Sequence, residues 1–384
     1  MYIKDARLYL PNAIATGDLV IKDGKITAIL TSGHIDTSED EVIDARGQYV
    51  IPGFIDSHIH GANGYDAMDD DPKAISEIAK HLVKEGTTSF LATTMTESID
   101  AIETALTHIK NTETPSGMAE LLGVHLEGPF VNVKKKGAQP EQHIKKPDLE
   151  LFKRWQTLSG NNIKTVTMAP EEDDAGAFIK ALRETGVNVS MGHTDVSFDD
   201  AKQASKYGVN QVTHLCNQMN GIHHRDVGLV GASFLLSHLQ LELIADGIHV
   251  SNEMLQLIYN NVGSDRLILI TDAMRAKGLQ DGTYTLGGQT VHVKDNKATL
   301  EDGTLAGSVL PMIEAAQRML KLDGTSLQDI IQMASINPAK QLGVYDRKGS
   351  IEVGKDADLL IINHDLQLDK TITKGVVAYK GDLT

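Results

Sequence analysis

The strongest constraint on the fold is the alternation, from residue 49 onward, of eight apolar strand-like runs with helix-like segments. One of the helix-like segments has apolar residues at spacings of three and four, the pattern of one helix face: Ile99, Ile102, Leu106 and Ile109. Strands that alternate with helices predict parallel βα units, and eight such units predict a TIM (β/α)8 barrel. The eight runs cover residues 50–56, 87–94, 120–127, 163–169, 187–192, 211–216, 241–246 and 266–272.

The two ends of the chain have a different pattern. The dipeptide Asp23-Gly24 is typical of a hairpin turn and is flanked by alternating apolar residues, and strand-like residues return at 349–362. We expect the strands of both ends to form one small β-sandwich domain beside the barrel. The predicted domains are 1–48 together with 345–384 for the β-sandwich, and 49–344 for the barrel, with a β-hairpin inserted near 280–300.

Composition limits the classes of function. The chain has 384 residues, enough to bury a large core, and it has no apolar run of about 18 residues and no signal-peptide pattern. Its single cysteine, Cys216, excludes an internal disulfide framework and agrees with a reducing compartment, so we expect a cytoplasmic protein. The formal charge of −16 argues against nucleic acid or an anionic membrane as partner. An anionic substrate would therefore need a locally basic pocket.

Metal-competent side chains stand at the ends of the strand-like runs. His58 and His60 end the first run and, because side chains alternate along a strand, they point to the same side. Glu127, His193 and His214 end three later runs. A lone histidine at a strand end is more often structural than a ligand, but active sites of TIM barrels lie at the carboxyl ends of the strands, where these residues converge. Imidazole and carboxylate ligands suit Zn²⁺ or Fe²⁺, so the pattern predicts a metal site.

Two further residues have competing interpretations. Asp272 ends the wholly apolar eighth run and could cap the next segment, but a carboxylate there could also act as general base and then as general acid. Its position at the end of a barrel strand favours the catalytic role. Cys216 lies two residues after His214, and we leave it out of the metal site because an isolated buried cysteine usually behaves as a small apolar residue.

These residues resemble the amidohydrolase superfamily, and the whole chain most resembles its N-acetylglucosamine-6-phosphate deacetylase family. The motifs that carry the resemblance are His58-Ile-His60, His125-Leu-Glu-Gly-Pro-Phe130, Lys135-Lys-Gly137, Gly192-His-Thr-Asp195, Thr213-His-Leu-Cys-Asn-Gln-Met219, Ala245-Asp-Gly-Ile-His249 and Thr304-Leu-Ala-Gly-Ser308. The resemblance implies metal-dependent hydrolysis of N-acetyl-D-glucosamine 6-phosphate to D-glucosamine 6-phosphate and acetate, in amino-sugar catabolism and cell-wall recycling. It also implies a homodimer.

The resemblance further implies a role for each matched residue. Glu127, His193 and His214 would hold the metal common to the family, and His58 and His60 would hold a second cation that Glu127 bridges. Two divalent metals per chain are therefore expected, with zinc, iron, manganese and cobalt all open. Asp272 would activate the water and then protonate the leaving amine. The expected substrate contacts are Ala138, Gln139, Asn217, Gln218, Arg225, His249, Leu305, Ala306 and Gly307.

Within that set, Arg225 and His249 are the expected phosphate contacts, since a guanidinium can donate two parallel hydrogen bonds to a phosphate. In the family the loop that carries Arg225 reaches the active site of the dimer partner. Gln139 stands where other members have a histidine, and Gln218 where many have a small residue, which leaves the contacts to the sugar open. The alternative functions are another amidohydrolase, such as an N-acyl amino acid deacylase or a dihydroorotase-like enzyme, and a non-catalytic scaffold on the same barrel.

Overall fold

The computed structural model describes residues 1–31 and 41–381. Residues 32–40 and 382–384, which belong to the expected small domain, lie outside the described residues. The strands are β1 (Tyr2–Leu10), β2 (Ala13–Lys22), β3 (Lys25–Leu30), β4 (Val42–Asp44), β5 (Tyr49–Pro52), β6 (Phe54–Ile59), β7 (Gly61–Ala62), β8 (Tyr65–Asp66), β9 (Thr87–Thr94), β10 (Glu120–Glu127), β11 (Ile163–Met168), β12 (Asn188–Met191), β13 (Gln211–Val212), β14 (Gln240–Ile244), β15 (Leu267–Ile270), β16 (Gly282–Leu286), β17 (Gln289–Lys294), β18 (Lys297–Thr299), β19 (Leu359–Ile362), β20 (Leu368–Thr373) and β21 (Val376–Lys380).

Helices fill most of the connections between the barrel strands. They are α1 (Ala74–Leu82), α2 (Ile99–Asn111), α3 (Leu149–Leu158), α4 (Ala177–Glu184), α5 (Phe198–Tyr207), α6 (Gly228–Leu235), α7 (Asn252–Val262), α8 (Met312–Leu320), α9 (Leu327–Ile331) and α10 (Asn337–Gln341), the last two joined by a π-helical turn at Gln332–Ile336. In α2 the predicted apolar face is buried at Ile102, Leu106 and Ile109, and Ser98 caps the helix by accepting a hydrogen bond from the Ala101 amide at 3.2 Å. In the described part of the chain, no helix combines the length and apolarity needed to span a membrane.

The central sheet confirms the predicted TIM barrel. Its eight strands pair in the order β6, β9, β10, β11, β12, β13, β14 and β15, and neighbouring strands are parallel. Near the junction of the last strand with the first, the Asp272 amide donates to the His58 carbonyl at 2.8 Å, and Thr271 Oγ1 donates to Asp56 at 2.6 Å. Every residue of β9 and β15 is buried, because one face of a barrel strand packs in the barrel interior and the other packs against the surrounding helices.

The first predicted run, 50–56, is wrong as a single strand. Residues Tyr49–Pro52 form β5 in the sheet of the chain termini, and the barrel strand β6 begins only at Phe54. Gly53 separates the two strands, and a Cβ atom at this position would lie 2.2 Å from Thr88 Oγ1. Only glycine therefore lets the chain pass this close to β9 as it changes from one sheet to the other.

The strands from both ends of the chain form one mixed eight-stranded sheet. Its order is β21, β20, β19, β5, β1, β2 and β3, with β4 paired to β1. The sheet has a core cluster of its own that includes Ile3, Leu19 and Ile361. The strand predicted within 349–362 is shorter than expected, because regular pairing begins only at Leu359. Even so, β19 pairs antiparallel with β5, so the C-terminal strands join the N-terminal ones as expected.

The predicted insertion near 280–300 contains three strands rather than a two-stranded hairpin. β16, β17 and β18 form an antiparallel sheet. Its first turn uses Gly287-Gly288, and its second uses Asp295-Asn296, whose φ angles of 52° and 62° are left-handed. The second turn has no glycine, so its signal in the sequence is weaker. The insertion packs against the carboxyl ends of the barrel strands through a small apolar cluster that includes Leu286.

Candidate metal centre and substrate pocket

Six predicted residues meet at the carboxyl ends of the barrel strands. His58 and His60 come from β6 and its end, Glu127 is the last residue of β10, and the others follow β12, β13 and β15 by two residues. All six are buried, with at most 8% of the surface of each residue exposed: His58, His60, Glu127, His193, His214 and Asp272. Because the strand ends converge in a barrel, residues that are more than two hundred positions apart in the chain lie together here.

Three of these residues have a left-handed backbone conformation that non-glycine residues rarely adopt. The φ angles are 47° at His193, 29° at His214 and 47° at Asp272. Such conformations cost about 1–3 kcal/mol each and concentrate at functional sites. In each case the turn comes just after the strand ends, where it directs the side chain across the end of the barrel. The strain is therefore an observation in favour of a functional site at this place.

The first group of potential ligands contains Glu127, His193 and His214. Glu127 Oε1 lies 3.3 Å from His193 Nε2 and 3.2 Å from His214 Nε2, and the two nitrogens lie 3.2 Å apart. Ligand atoms at about 2.05 Å from a tetrahedral cation lie about 3.3 Å from one another, so this spacing fits a common ion. His193 Nδ1 donates to the Lys135 carbonyl at 2.9 Å, which leaves the Nε2 lone pair directed at the site.

The second group contains His58, His60 and Asp272. Asp272 Oδ1 lies 3.2 Å from His60 Nε2 and 3.4 Å from His58 Nε2. Glu127 adjoins both groups, since its Oε2 lies 3.2 Å from His60 Nε2. His58 Nε2 is buried and has no hydrogen-bond partner, although the ring's other nitrogen is bonded. A buried imidazole nitrogen without a hydrogen bond is costly, so the donor set fits a cation at this position as well.

The electrostatics of the centre agree with a cation site. Burial works against charge in every group, yet the surrounding histidines hold the pKa of Glu127 well below its usual value and lower that of Asp272 to about 2. Burial also opposes the protonation of His60, but its hydrogen bonds with Asp272 and Glu127 outweigh that effect and raise its pKa to about 10. The two carboxylates thus attract positive charge strongly. A divalent cation would satisfy them in place of the protons, as metal binding to such ligands normally does.

Comparison with known proteins agrees with this geometry. Residues 49–378 match the model of the amidohydrolase family. The chain belongs to the amidohydrolase family. It is 45% identical over 384 residues to the N-acetylglucosamine-6-phosphate deacetylase of Bacillus subtilis (strain 168), with 99% of this chain and 97% of that protein covered.

Two solved structures extend the comparison. The N-acetylglucosamine-6-phosphate deacetylase of Thermotoga maritima has a TM-score of 0.88 and 35% identity, with 99% of this chain and 100% of that chain covered. A mutant of the Mycobacterium smegmatis enzyme, in complex with N-acetyl-D-glucosamine-6-phosphate, has a TM-score of 0.90 and 27% identity, with 99% of each chain covered. The relatives place this amidohydrolase in the N-acetylglucosamine-6-phosphate deacetylase family.

A pocket opens beside the two ligand groups of this family member. The residues expected to contact the substrate that line it are Ala138, Gln139, Asn217, Gln218, His249, Leu305 and Gly307. Two expected residues are not part of the lining. Ala306 is fully buried under the inserted sheet, and Arg225 lies on an exposed loop where its guanidinium donates to His224 Nε2 at 2.7 Å. The pocket of a single chain therefore contains His249 without Arg225.

Gln139 has a different set of partners from the expected sugar hydroxyls. Its Nε2 donates to Glu127 Oε2 at 2.9 Å, and its Oε1 accepts from the Thr96 amide at 2.9 Å. The side chain is therefore fixed between the backbone and the carboxylate that adjoins both ligand groups. Its position beside the pocket still allows a contact with substrate, but its observed hydrogen bonds orient Glu127.

The sequence interpretation missed several residues of the site. Asp246 holds His249, whose Nδ1 donates to Asp246 Oδ2 at 2.6 Å, and Glu242 accepts from His58 Nδ1 at 2.9 Å. Met95 and Leu286 supply apolar surface to the pocket. A signal existed for Glu242, which is a carboxylate between two leucines in the middle of a barrel strand. Cys216 lies outside both ligand groups, and burial raises the pKa of its thiol to about 12, so it does not resemble a ligand.

Proposed function

We propose that this protein hydrolyses N-acetyl-D-glucosamine 6-phosphate to D-glucosamine 6-phosphate and acetate. The observation that carries the proposal is the pocket itself, in which two groups of metal-competent side chains adjoin one carboxylate, Glu127, beside His249 and Asn217. The relatives that cover almost the whole chain bear the name of this activity. We place the reaction in amino-sugar catabolism and cell-wall recycling, and the enzyme in the cytoplasm.

The chemistry that amide hydrolysis needs is available in the pocket. A divalent cation, when bound, supplies a nucleophile at neutral pH and stabilises the negative charge that develops on the carbonyl oxygen. Glu127, His193 and His214 would hold one such cation. Asp272 is ionised at neutral pH, because its pKa is about 2, and its carboxylate lines the pocket. It would accept the proton of the attacking water and return it to the departing sugar amine.

We propose two cations per chain. His58 and His60 are both present and both face Glu127 and Asp272, so the second group has a full set of nitrogen and oxygen donors. The donors are imidazoles and carboxylates, which zinc, iron, manganese and cobalt all accept. The family match supports dependence on metal, and the geometry of the second group supports the number two.

We propose that the phosphate is bound by His249 and by Arg225 of a second copy in a homodimer. His249 lines the pocket and is held there by Asp246, and the pKa of that carboxyl is lowered because hydrogen bonding to His249 outweighs the effect of burial. Arg225 is exposed, does not line the pocket of its own chain and bonds to the neighbouring His224, so its guanidinium is accessible to a site on another chain. A guanidinium from a second chain would also supply the positive charge that a protein of net charge −16 needs to bind a phosphate.

A comparison of substrates tests the proposed reaction. Acetate release from N-acetyl-D-glucosamine 6-phosphate should exceed release from unphosphorylated N-acetyl-D-glucosamine by at least about 30-fold in kcat/KM, since a buried charged hydrogen bond contributes about 2 kcal/mol or more. The variant Asp272→Asn controls for contaminating activity. Equal rates on the two sugars, or faster hydrolysis of N-acyl amino acids, would assign the protein to another amidohydrolase activity.

A further inference from the structure

The barrel strand β14 supplies no predicted metal ligand, yet it contains a fully buried carboxylate. Glu242 is 0% exposed and lies between Leu241 and Leu243, which are also fully buried. Burial of an ionised carboxylate costs several kcal/mol unless hydrogen bonds and opposite charges satisfy it. Because burying a carboxylate inside the barrel is costly, we expect the role of Glu242 to lie in the adjacent site.

The contacts of Glu242 all lie within the barrel. Its Oε2 accepts from His58 Nδ1 at 2.9 Å and, more weakly, from the His214 amide at 3.4 Å. Its Oε1 accepts from Gln211 Nε2 at 2.7 Å, and His125 Nδ1 lies 3.9 Å away. Glu242 is not among the residues that line the substrate pocket. Any effect of this carboxylate on the reaction must therefore pass through its neighbours.

The contact with His58 fixes which nitrogen of that ring faces the site. Because Nδ1 bonds to Glu242, Nε2 is the ring nitrogen that faces Glu127 and Asp272 and is available to a cation. By contrast, His60 donates to the Thr93 carbonyl and His193 to the Lys135 carbonyl, which are neutral acceptors. A carboxylate acceptor makes an imidazole a more basic ligand and fixes the orientation of its ring.

We propose that Glu242 is a positioning residue that strengthens the cation site formed by His58, His60 and Asp272. The inference rests on the proposed two-cation centre and assigns to a histidine ligand of the second cation a carboxylate partner, whereas His193 of the first group bonds to a neutral carbonyl. Removing the carboxylate should therefore weaken the binding of one cation per chain and leave the cation held by Glu127, His193 and His214 in place.

The test is the stepwise removal of Zn²⁺ from metal-loaded protein by a competing chelator, with bound zinc measured by mass spectrometry. In Glu242→Gln, one zinc per chain should dissociate at about 10- to 100-fold lower chelator strength than in wild type, the usual cost of losing such a support, while the other should dissociate as in wild type. Glu242→Leu, which removes the acceptor altogether, should have a larger effect of the same kind. If Glu242→Leu does not fold, Glu242→Gln alone decides the outcome.

Ser190→Ala is a matched control, because Ser190 is also fully buried in the barrel but bonds to Thr213 Oγ1 at 2.6 Å and not to His58. It should keep both zinc affinities. Unchanged affinities in Glu242→Gln would overturn the role of Glu242, and so would an equal loss of both cations, which would indicate a general disturbance of the barrel. Wild-type protein that saturates at one zinc would overturn the two-cation centre and this inference together, whatever its activity on the sugar phosphate.

Discussion

Arg225 offers a direct test of whether the pocket is completed by a second chain. The residue is exposed and, among the residues that the structure describes, its side chain hydrogen-bonds only to His224, while the pocket of its own chain contains His249 without it. Loss of one partner of a buried charged hydrogen bond costs about 2–5 kcal/mol, so Arg225→Ala should lower kcat/KM for the 6-phosphate by roughly 30-fold to several thousand-fold. The unphosphorylated sugar should be affected little.

Mixing two impaired variants then distinguishes the two possible locations of the guanidinium. Random exchange between Arg225→Ala and Asp272→Asn makes about half of the dimers mixed, and in a mixed dimer one site has both Asp272 and the arginine of its partner. The mixture should therefore regain about a quarter of wild-type activity, measured as acetate release after the subunits are dissociated and reassociated. A mixture no more active than its two parents would mean that Arg225 serves its own chain or that the protein is a monomer, and an equal loss on both sugars would remove it from the phosphate site.

Three further predictions concern the metal centre and the attachment of the terminal sheet. Replacing His58 by Gln together with His60 by Asn should lower the zinc content from about two to about one per chain, and wild-type protein that never exceeds one would contradict this expectation. Asp272→Asn should keep the fold and lower kcat by roughly 10² or more through loss of the general base, whereas near-normal turnover would move that role to another group. Glu120 pairs with Arg347 at 2.9 Å, and although burial opposes ionisation, this pairing and a nearby lysine lower its pKa to about 2. Because the folded pKa is depressed, the pair stabilises the protein fully above about pH 4.5 and less as the pH falls toward 2. Glu120→Gln should therefore lower the free energy of unfolding, measured with urea, by about 1–3 kcal/mol at pH 7 and by progressively less below pH 4. A difference that does not change with pH would refute this account.

The barrel and the convergence of the candidate ligands could be predicted from the sequence because both follow from local patterns. Buried parallel strands appear as apolar runs, and a polar residue at the end of such a run must lie at the mouth of the barrel. This reasoning found His58, Glu127 and Asp272 without knowledge of any contact between them. It failed at Gly53, where a single close approach to Thr88 divides one apolar run between two sheets.

The residues that support the ligands could not be found in the same way. Glu242 and His58 are separated by 184 positions, and only the closed barrel brings them within hydrogen-bonding distance. The left-handed backbone at His193 and His214 is equally invisible in the sequence, since non-glycine residues normally avoid it and surrounding structure must impose it. In the proposed homodimer, the position of Arg225 relative to a phosphate would depend on a second chain, which no pattern within one chain describes.

The sheet made from both ends of the chain has a consequence for synthesis and folding. Each barrel strand pairs with a strand close to it in the sequence, so these contacts can form as the chain grows, whereas Pro52 in β5 finds its partner Leu359 only about three hundred residues later. The N-terminal strands must then wait with one edge unpaired while the rest of the protein is made, and such edges are prone to pair with other molecules. We expect the ribosome-bound chain to be most vulnerable to aggregation at β5, and chaperone protection to matter until residue 359 has emerged.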